Sequence, residues 1–174
     1  MQRLKHEDKH KDERLVTKGD DYFNKPQDYA MAIYSYYMCF KCKKPYFGGL
    51  KSCENLRQEA QNNDDFKASE LVCATCSAVG IALRDCPKHG KDYIEFKCRF
   101  CCSVAQWFCW GSTHFCEPCH KKQCSGDHLS KKKKKDLPQC KGKKYCPLGV
   151  KHPPNGDEFA LGCALCRNFK QNAR

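Results

Sequence analysis

Five Cys-x-x-Cys pairs are the main chemical feature of this sequence. They are Cys39/Cys42, Cys73/Cys76, Cys98/Cys101, Cys116/Cys119 and Cys163/Cys166. A sixth pair, Cys86 and His89, has the same spacing with an imidazole as the second ligand. A gap of two residues lets one tight turn aim both donor atoms at a single tetrahedral zinc ion. One such pair is weak evidence, whereas six pairs within 174 residues predict a protein that binds several zinc ions.

The cysteine content alone would also fit a secreted scaffold held together by disulfides, because 17 of the 174 residues are cysteine. Residues 1–15 are charged throughout and contain no apolar run of the kind found in signal peptides, and no uncharged stretch approaches the length of a membrane span. We therefore expect a cytoplasmic protein without a membrane partner. Its cysteines are expected to bind zinc as thiolates.

The predicted fold is a small irregular α+β domain, rich in zinc-binding cysteines, with little regular secondary structure and a short helical linker before it. Residues 1–20 are predicted to be the linker and residues 21–174 the zinc-binding domain. Charged residues make up 30% of the chain, so metal coordination must replace much of an apolar core and folding should depend on zinc. The alternating residues 93–97 predict a short strand, and residues 103–109 a buried strand or helix.

A count of ligands predicts about four zinc ions per chain. A first site would use Cys39, Cys42, Cys73 and Cys76, and a second would use Cys86, His89, Cys98 and Cys101. Two further sites, whose pairing the spacing leaves open, would share Cys102, Cys116, Cys119, Cys140, Cys146, His152, Cys163 and Cys166. His114 and His128 are alternative ligands. The spacing supports the paired residues strongly, whereas the count alone brings in Cys102, Cys140, Cys146 and His152.

Three cysteines remain outside this allocation. Cys124 lies in a basic loop and is most simply a surface thiol. Cys109 has aromatic neighbours in the sequence and lies between two predicted metal sites, which would hold it rigidly. His120 directly follows a predicted zinc ligand, so it would be a base fixed in place. Cys53 lies in a long segment between Cys42 and Cys73 without a hydrophobic period, which predicts a functional or disordered loop. A mobile thiol and a rigid thiol in one molecule suit an acyl relay.

The net charge of +12 raises the alternative of a non-catalytic zinc module that binds nucleic acid or an acidic partner. If 14 cysteines bind four zinc ions as thiolates, the net charge falls to about +6. The lysine run 131–135 is more typical of a solvated loop than of a binding stripe. Nucleic acid is therefore not the expected partner, and binding by such a module would be strongly salt-dependent.

An ordered series of motifs extends this interpretation. They are Tyr29-Ala30-Met31, Tyr36-Tyr37-Met38-Cys39-Phe40-Lys41-Cys42, Tyr46-Phe47-Gly48-Gly49, Cys86-Pro87-Lys88-His89-Gly90, Lys97-Cys98-Arg99-Phe100-Cys101-Cys102-Ser103-Val104-Ala105, Thr113-His114-Phe115-Cys116, His152-Pro153-Pro154 and Glu158-Phe159-Ala160-Leu161-Gly162-Cys163. From about residue 22 to 169 the chain resembles the C-terminal tandem cysteine domain of the Pam/Highwire (Myc-binding protein) family. Members of that family are large neuronal RING-Cys-relay ubiquitin ligases. Residues 1–20 resemble the linker after the family's RING domain.

The resemblance implies a transferase whose partners are a ubiquitin-charged conjugating enzyme, ubiquitin and a substrate protein, and an axonal location. It implies that ubiquitin passes to Cys53 on a mediator loop, about residues 46–69. The thioester then moves to Cys109, and ubiquitin is finally esterified to a threonine or serine hydroxyl. By the same resemblance, His120 is the base that deprotonates the hydroxyl, and Glu70 is a carboxylate of the active site.

The resemblance also implies an aromatic pocket for the acceptor's methyl group. Trp110 and Phe115 keep the aromatic character at two of its positions, whereas Gln123 replaces a phenylalanine at the third. We therefore expect threonine and serine to be used more evenly than in the family.

Overall fold

The structure is a computed structural model that describes residues 13–53, 68–77, 86–90 and 92–167. Its helices are short: α1 Glu13–Val16, α2 Pro26–Ile33, α3 Ala74–Ser77 and α4 Glu117–Cys124, with 3₁₀ turns at Ala68–Glu70, Leu129–Lys131 and Lys134–Asp136. Its strands are β1 Tyr34–Met38, β2 Pro45–Leu50, β3 Ile94–Phe96, β4 Trp107–Cys109, β5 Thr113–Phe115 and β6 Ala160–Cys163. No helix in these ranges is long and apolar enough to cross a membrane.

The described strands form three antiparallel pairs, β1 with β2, β3 with β6, and β4 with β5. A two-stranded sheet is marginally stable by itself, so each pair depends on what it packs against. The larger apolar cluster mixes aromatic side chains such as Phe100 and Phe115 with buried cysteines, and Leu129 and Leu137 close it from the basic loop. A smaller cluster contains Cys146, Leu148 and Leu161. Cysteines thus occupy core positions in both clusters.

The predicted fold class, a cysteine-rich irregular α+β domain, is confirmed. The strand predicted within residues 93–97 is β3, and the segment 103–109 contains β4. The predicted linker is helical at α1, and residues 1–12 lie outside the described ranges. The domain boundary at residue 20 stays a prediction.

The first part of the segment after Cys42 differs from the prediction of a loop. The segment between Cys42 and Cys73 is not structureless throughout, because β2 forms within it and residues 51–53 continue as a helical turn. The aromatic side chains of β1 stabilise this strand, since Tyr34 and Tyr36 both pack edge-on against Phe47. Residues 54–67 of the predicted mediator loop lie outside the described ranges.

Two glycines bring β2 against β4. A Cβ atom on Gly49 would lie 2.4 Å from the Phe108 carbonyl oxygen, and the Gly111 amide donates a hydrogen bond to the Gly48 carbonyl at 2.8 Å. Only a residue without a side chain permits such an approach between two backbones. Because Cys53 follows β2 and Cys109 ends β4, this contact places the two cysteines side by side.

Candidate functional site

Four of the cysteine and histidine groups found among the described residues have the composition of structural zinc sites. They are Cys39/Cys42/Cys73/Cys76, Cys86/His89/Cys163/Cys166, Cys98/Cys101/Cys116/Cys119 and Cys102/Cys140/Cys146/His152. Within each group, all ligand atoms lie within 4.8 Å of one another. Two groups offer four sulfurs and two offer three sulfurs and one nitrogen, which are the donor sets of closed tetrahedral zinc sites. These clusters could hold metal ions and are compatible with zinc.

The structure brings together all sixteen residues predicted as ligands, and the first predicted site matches the first cluster. The second predicted site is wrong, because Cys86 and His89 do not share a cluster with Cys98 and Cys101. The cause is the pairing of β3 with β6, which sets Ile94 opposite Cys163 and brings the last Cys-x-x-Cys pair to the turn at residues 86–90.

Cys98 and Cys101 face the N-terminus of α4 instead, where Cys116 and Cys119 complete the third cluster. Cys102, the next residue along the chain, points to the fourth cluster. Spacing alone could not reveal this division, because adjacent residues of one turn serve two different clusters.

Hydrogen bonds show which histidine nitrogens are available as metal ligands. His152 donates from Nδ1 to the Pro153 carbonyl at 2.7 Å, so the lone pair on Nε2 faces the Cys146 sulfur 3.2 Å away, as a metal ligand requires. His114 is instead held by the Glu158 carboxylate at 2.7 Å. Neither His114 nor His128, the two alternative ligands, belongs to one of the four clusters.

A fifth group has a different composition: Cys53, Cys109 and His120 converge with their ligand-type atoms within 4.8 Å of one another. We call these three residues the thiol site. Cys53 lies on the helical turn after β2, Cys109 ends β4, and His120 lies on α4 directly after Cys119. The Cys53 sulfur is 3.4 Å from His120 Nε2. Cys109 is 1% exposed and Cys53 is 6% exposed, so the group lies at the edge of the core rather than on a loop in solvent.

Aromatic rings fix the orientation of His120. The indole of Trp107 stacks on the imidazole with ring centroids 4.4 Å apart and planes 3° apart, and Phe115 meets the imidazole edge-on. Trp107 is itself held by a hydrogen bond from Nε1 to the Glu117 carboxylate. The sequence contained a signal for this role that we did not use: Trp107 and Cys109 are two residues apart on one strand and therefore share a face.

The pKa values of the two thiols of the site are shifted in opposite directions. A hydrogen bond from the Cys109 thiol, aided by His120, lowers the pKa of Cys53 to about 6. The same contact with the Cys53 thiolate, together with burial, raises the pKa of Cys109 well above its ordinary value. At neutral pH the pair therefore holds one proton, which resides on Cys109, and Cys53 is the nucleophile.

A small cavity opens onto the thiol site. Its lining residues are Cys53, Cys109, Trp110, His120, Gln123 and Cys124. Trp110 donates from Nε1 to the Cys53 carbonyl at 2.8 Å, and Gln123 accepts a hydrogen bond from the Ser130 amide at 3.0 Å. Phe115, predicted as a pocket residue, is fully buried and lies edge-on to Trp110 rather than among the lining residues.

Glu70 is the predicted site residue that the structure does not bring to the thiol site. It is exposed at the end of the 3₁₀ turn Ala68–Glu70 and is absent from the group formed by Cys53, Cys109 and His120. Cys124 is the opposite case. We assigned it no role beyond a surface thiol, yet its sulfur lies 4.0 Å from both nitrogens of His120 and lines the cavity.

Comparison with known proteins supports the resemblance seen in the sequence. No protein-family model matches the chain. The chain is 48% identical over 176 residues to E3 ubiquitin-protein ligase MYCBP2 of Danio rerio, a match that covers 97% of this chain and 4% of that protein. It is 50% identical over 147 residues to E3 ubiquitin-protein ligase highwire of Drosophila melanogaster, covering 80% of this chain and 3% of that protein. The chain thus spans a small part of these relatives, and it belongs to the Pam/Highwire family.

Proposed function

We propose that this chain is the catalytic portion of an E3 ubiquitin ligase that relays ubiquitin through two cysteines to a hydroxyl group. The observation that supports the relay is the convergence of Cys53, Cys109 and His120 beside one cavity. A structural scaffold has no need for two thiols outside its zinc sites, one of them with a lowered pKa, and an oriented imidazole beside them. The names of the two relatives, both E3 ubiquitin-protein ligases, support the ligase activity.

In the first step, the Cys53 thiolate attacks the thioester carbonyl of a ubiquitin-charged conjugating enzyme. A new thioester forms at Cys53, and the cysteine of the conjugating enzyme leaves as a thiolate. The pKa of about 6 keeps Cys53 ionised at neutral pH, so this step requires no base.

In the second step, the thioester moves from Cys53 to Cys109. Acylation removes the negative charge on Cys53, and with it the main cause that raises the pKa of Cys109. The Cys109 proton can then leave through the cavity to solvent, so His120 stays available as the base of the third step. Cys109 attacks the thioester carbonyl, and Cys53 leaves as the more stable thiolate of the pair.

In the third step, a substrate hydroxyl gives its proton to His120 and attacks the thioester carbonyl, so that an ester forms and Cys109 leaves as a thiolate. A hydroxyl is a poor nucleophile at neutral pH, so this step depends on a positioned base, for which a general base typically contributes about 100- to 10,000-fold. His120, held flat against Trp107, supplies that base at the edge of the cavity. Trp110 and Gln123 form walls for a short threonine or serine side chain. Glu70 remains a predicted carboxylate of this step, on the resemblance alone.

Four zinc ions, one in each of the four clusters, would hold the elements that carry these residues. The cluster of Cys98, Cys101, Cys116 and Cys119 fixes the start of α4, and therefore His120, against the segment that leads to β4. Zinc would have a structural role here, because each cluster supplies four protein ligands and would leave no position for a substrate.

The binding of nucleic acid through the basic loop receives little support. Lys132 pairs with Asp127 at 3.0 Å and Lys134 pairs with Asp157 at 2.5 Å, so part of the loop's positive charge is neutralised within the molecule. Nucleic-acid binding would also be indifferent to Cys53 and Cys109, which gives the two functions separate tests.

The relay is tested by mixing a ubiquitin-charged conjugating enzyme with this chain and separating the products on a non-reducing gel. We expect an adduct on the chain that thiols cleave. Cys53→Ser should stop transfer at the first step, and Cys109→Ser should accumulate an ester that hydroxylamine cleaves. The relay is wrong if Cys109→Ala still passes ubiquitin to free threonine at the normal rate.

A further inference from the structure

The thiol site has the donor atoms of a metal site as well as those of a relay. Two sulfurs and one imidazole nitrogen meet within the same 4.8 Å limit as the ligands of the four zinc clusters. The 3.4 Å between the Cys53 sulfur and His120 Nε2 falls within the 3.2–3.6 Å separating sulfur and histidine nitrogen in the two clusters that contain a histidine. A divalent ion could therefore be bound with little rearrangement of the three side chains.

The set differs from the four clusters in leaving one coordination position open. A Cys₂His set with a free fourth position is a known arrangement for zinc that exchanges a ligand with solvent or substrate. Here the open side faces the cavity, where Cys124 is exposed 4.0 Å from His120. Water from the cavity can complete the tetrahedron.

We propose that the thiol site binds one additional thiophilic divalent cation, of the class of Zn²⁺ or Cd²⁺, and that this ion switches the relay off. Binding forms two metal–sulfur bonds and one metal–nitrogen bond, and any proton that the two thiols carry is released to solvent. No electron is transferred. The switch rests on the proposed relay, whereas the binding of the ion does not.

The ion and ubiquitin exclude each other. A metal-bound thiolate is a poor nucleophile, so the occupied site cannot accept ubiquitin at Cys53. Conversely, a thioester at Cys53 removes one of the three ligands and weakens metal binding. The ion therefore acts only on the uncharged enzyme, and lowering its free concentration restores activity without reduction or new synthesis.

Metal binding is tested on the full chain with its four clusters filled, in the presence of a phosphine reductant that keeps all thiols reduced. Zn²⁺ is added against a chromophoric zinc chelator, and the ions bound per chain are counted. We expect one more ion in the native chain than in Cys53→Ser or Cys109→Ser. Cys124→Ser is the matched control and should retain the additional ion, because its sulfur is not one of the three converging donors.

The switch is tested by measuring transfer from the charged conjugating enzyme at buffered free Zn²⁺. At a free concentration ten times the Kd, mass action leaves about one tenth of the sites open, so transfer should fall about 10-fold. Zinc must not slow the discharge of the conjugating enzyme to a small thiol, which is the control for an effect on that partner.

The proposal is overturned if the native chain binds no more Zn²⁺ than Cys53→Ser and Cys109→Ser, or if the ion binds and transfer is unchanged. These outcomes differ from failure of the proposed function. A chain that shows no relay without added zinc but still binds the additional ion would refute the relay and leave the metal site standing.

Discussion

At the scale of single residues, the pKa values of Cys53 and Cys109 are shifted in opposite directions. The pKa of Cys53 is lowered and that of Cys109 is raised, which fits the order in which the proposed relay would use the two thiols. The motifs allowed the sequence to predict both cysteines and His120. They could not reveal that Cys53 lies buried against Cys109 before any ubiquitin arrives, because this contact depends on backbone packing across 56 positions of sequence.

Removing Cys109 should make Cys53 less acidic. The hydrogen bond from Cys109 is the main cause of the low pKa of Cys53, so Cys109→Ala should raise that pKa from about 6 toward the ordinary value for a thiol. At pH 6.5 we expect alkylation of Cys53 by iodoacetamide to slow roughly 10-fold. Mass spectrometry of the peptide that contains Cys53 measures the rate across pH. Cys124→Ala should leave the midpoint in place, and an unchanged midpoint in Cys109→Ala would show that another group ionises Cys53.

Replacing His120 should separate the thiol steps from the hydroxyl step. His120→Ala removes the base but not the nucleophiles, so thioesters should still form while discharge to threonine falls by at least about 100-fold. Single-turnover discharge from preformed thioester measures the last step. The zinc content should stay the same, because the ligand is the neighbouring Cys119. Equal loss of all steps would mean that His120 serves the scaffold.

We expect the choice of acceptor to depend on Gln123. Gln123 is buried and stands where the family resemblance implies a phenylalanine. Its side-chain oxygen accepts a hydrogen bond from the Ser130 backbone N–H. We therefore expect threonine and serine to be esterified at rates within a few-fold of each other. Gln123→Leu should raise the ratio of threonine to serine up to roughly 10-fold, because burying one methyl group is worth on the order of 1 kcal/mol. Competition between the free amino acids gives the ratio, and a native threonine preference above about 10-fold would contradict the role of Gln123.

At the scale of elements, the turn between β4 and β5 carries backbone strain next to Cys109. Trp110 and Gly111 both have positive φ, at 60° and 66°, and the Ser112 amide closes the turn onto the Cys109 carbonyl. A type I′ turn of this kind favours asparagine and glycine, and a bulky side chain in the left-handed region costs about 1–2 kcal/mol. The indole is retained because it is buried and binds the Cys53 carbonyl, which joins the helical turn after β2 to the cavity wall.

The sequence predicts where a short strand forms but not which strand it pairs with. Alternation in residues 93–97 predicted β3 because one strand carries its own pattern. The partner of that strand, β6, follows from contacts between distant segments, and it decides which cysteines share a metal cluster. The second zinc site was therefore predicted wrongly because the strand pairing was unknown. A count of ligands contains no information about which strands pair.

Gly49 should be intolerant of any side chain. Its Cβ would collide with the Phe108 carbonyl and the Cys109 Cα, so Gly49→Ala should push β2 away from β4 and separate the two relay cysteines. We expect a loss of more than about 1 kcal/mol in unfolding free energy and a slower transfer from Cys53 to Cys109. Gly19→Ala is the matched control, since Gly19 has φ 95° but nothing within 4 Å of an added Cβ. Equal effects of the two substitutions on transfer would contradict the role of this contact.

At the scale of the whole molecule, a buried lysine lies beside the cysteine clusters and offsets part of their negative charge. Lys97 is fully inaccessible and donates to the Cys98 carbonyl at 2.7 Å, and burial lowers its pKa while the nearby cysteine thiolates oppose that shift. A zinc ion with four thiolates is doubly negative, so a buried ammonium group beside such clusters offsets part of their charge. The sequence showed the thiols but not this counter-charge, because Lys97 differs from the surface lysines only in its position.

The zinc clusters are expected to be separable in function, although all four support the fold. With free Zn²⁺ buffered low enough to leave the thiol site empty, the native chain should contain four zinc ions by native mass spectrometry. Cys73→Ser and Cys166→Ser should each lose one ion and keep three, because each removes a single ligand from a different cluster. The first cluster joins the two ends of the segment that contains Cys53, whereas the second joins the turn at residues 86–90 to β6.

Loss of the first cluster therefore opens a loop of about 30 residues around Cys53, and the entropy of that loop opposes the seating of Cys53 beside Cys109. We expect Cys73→Ser to impair the transfer from Cys53 to Cys109 strongly, while Cys166→Ser leaves most of it intact. The rate of that step and the zinc count are measured on the same samples. If both variants lose transfer to the same extent with three ions bound, the clusters act only through overall stability, and the first has no special role in positioning Cys53.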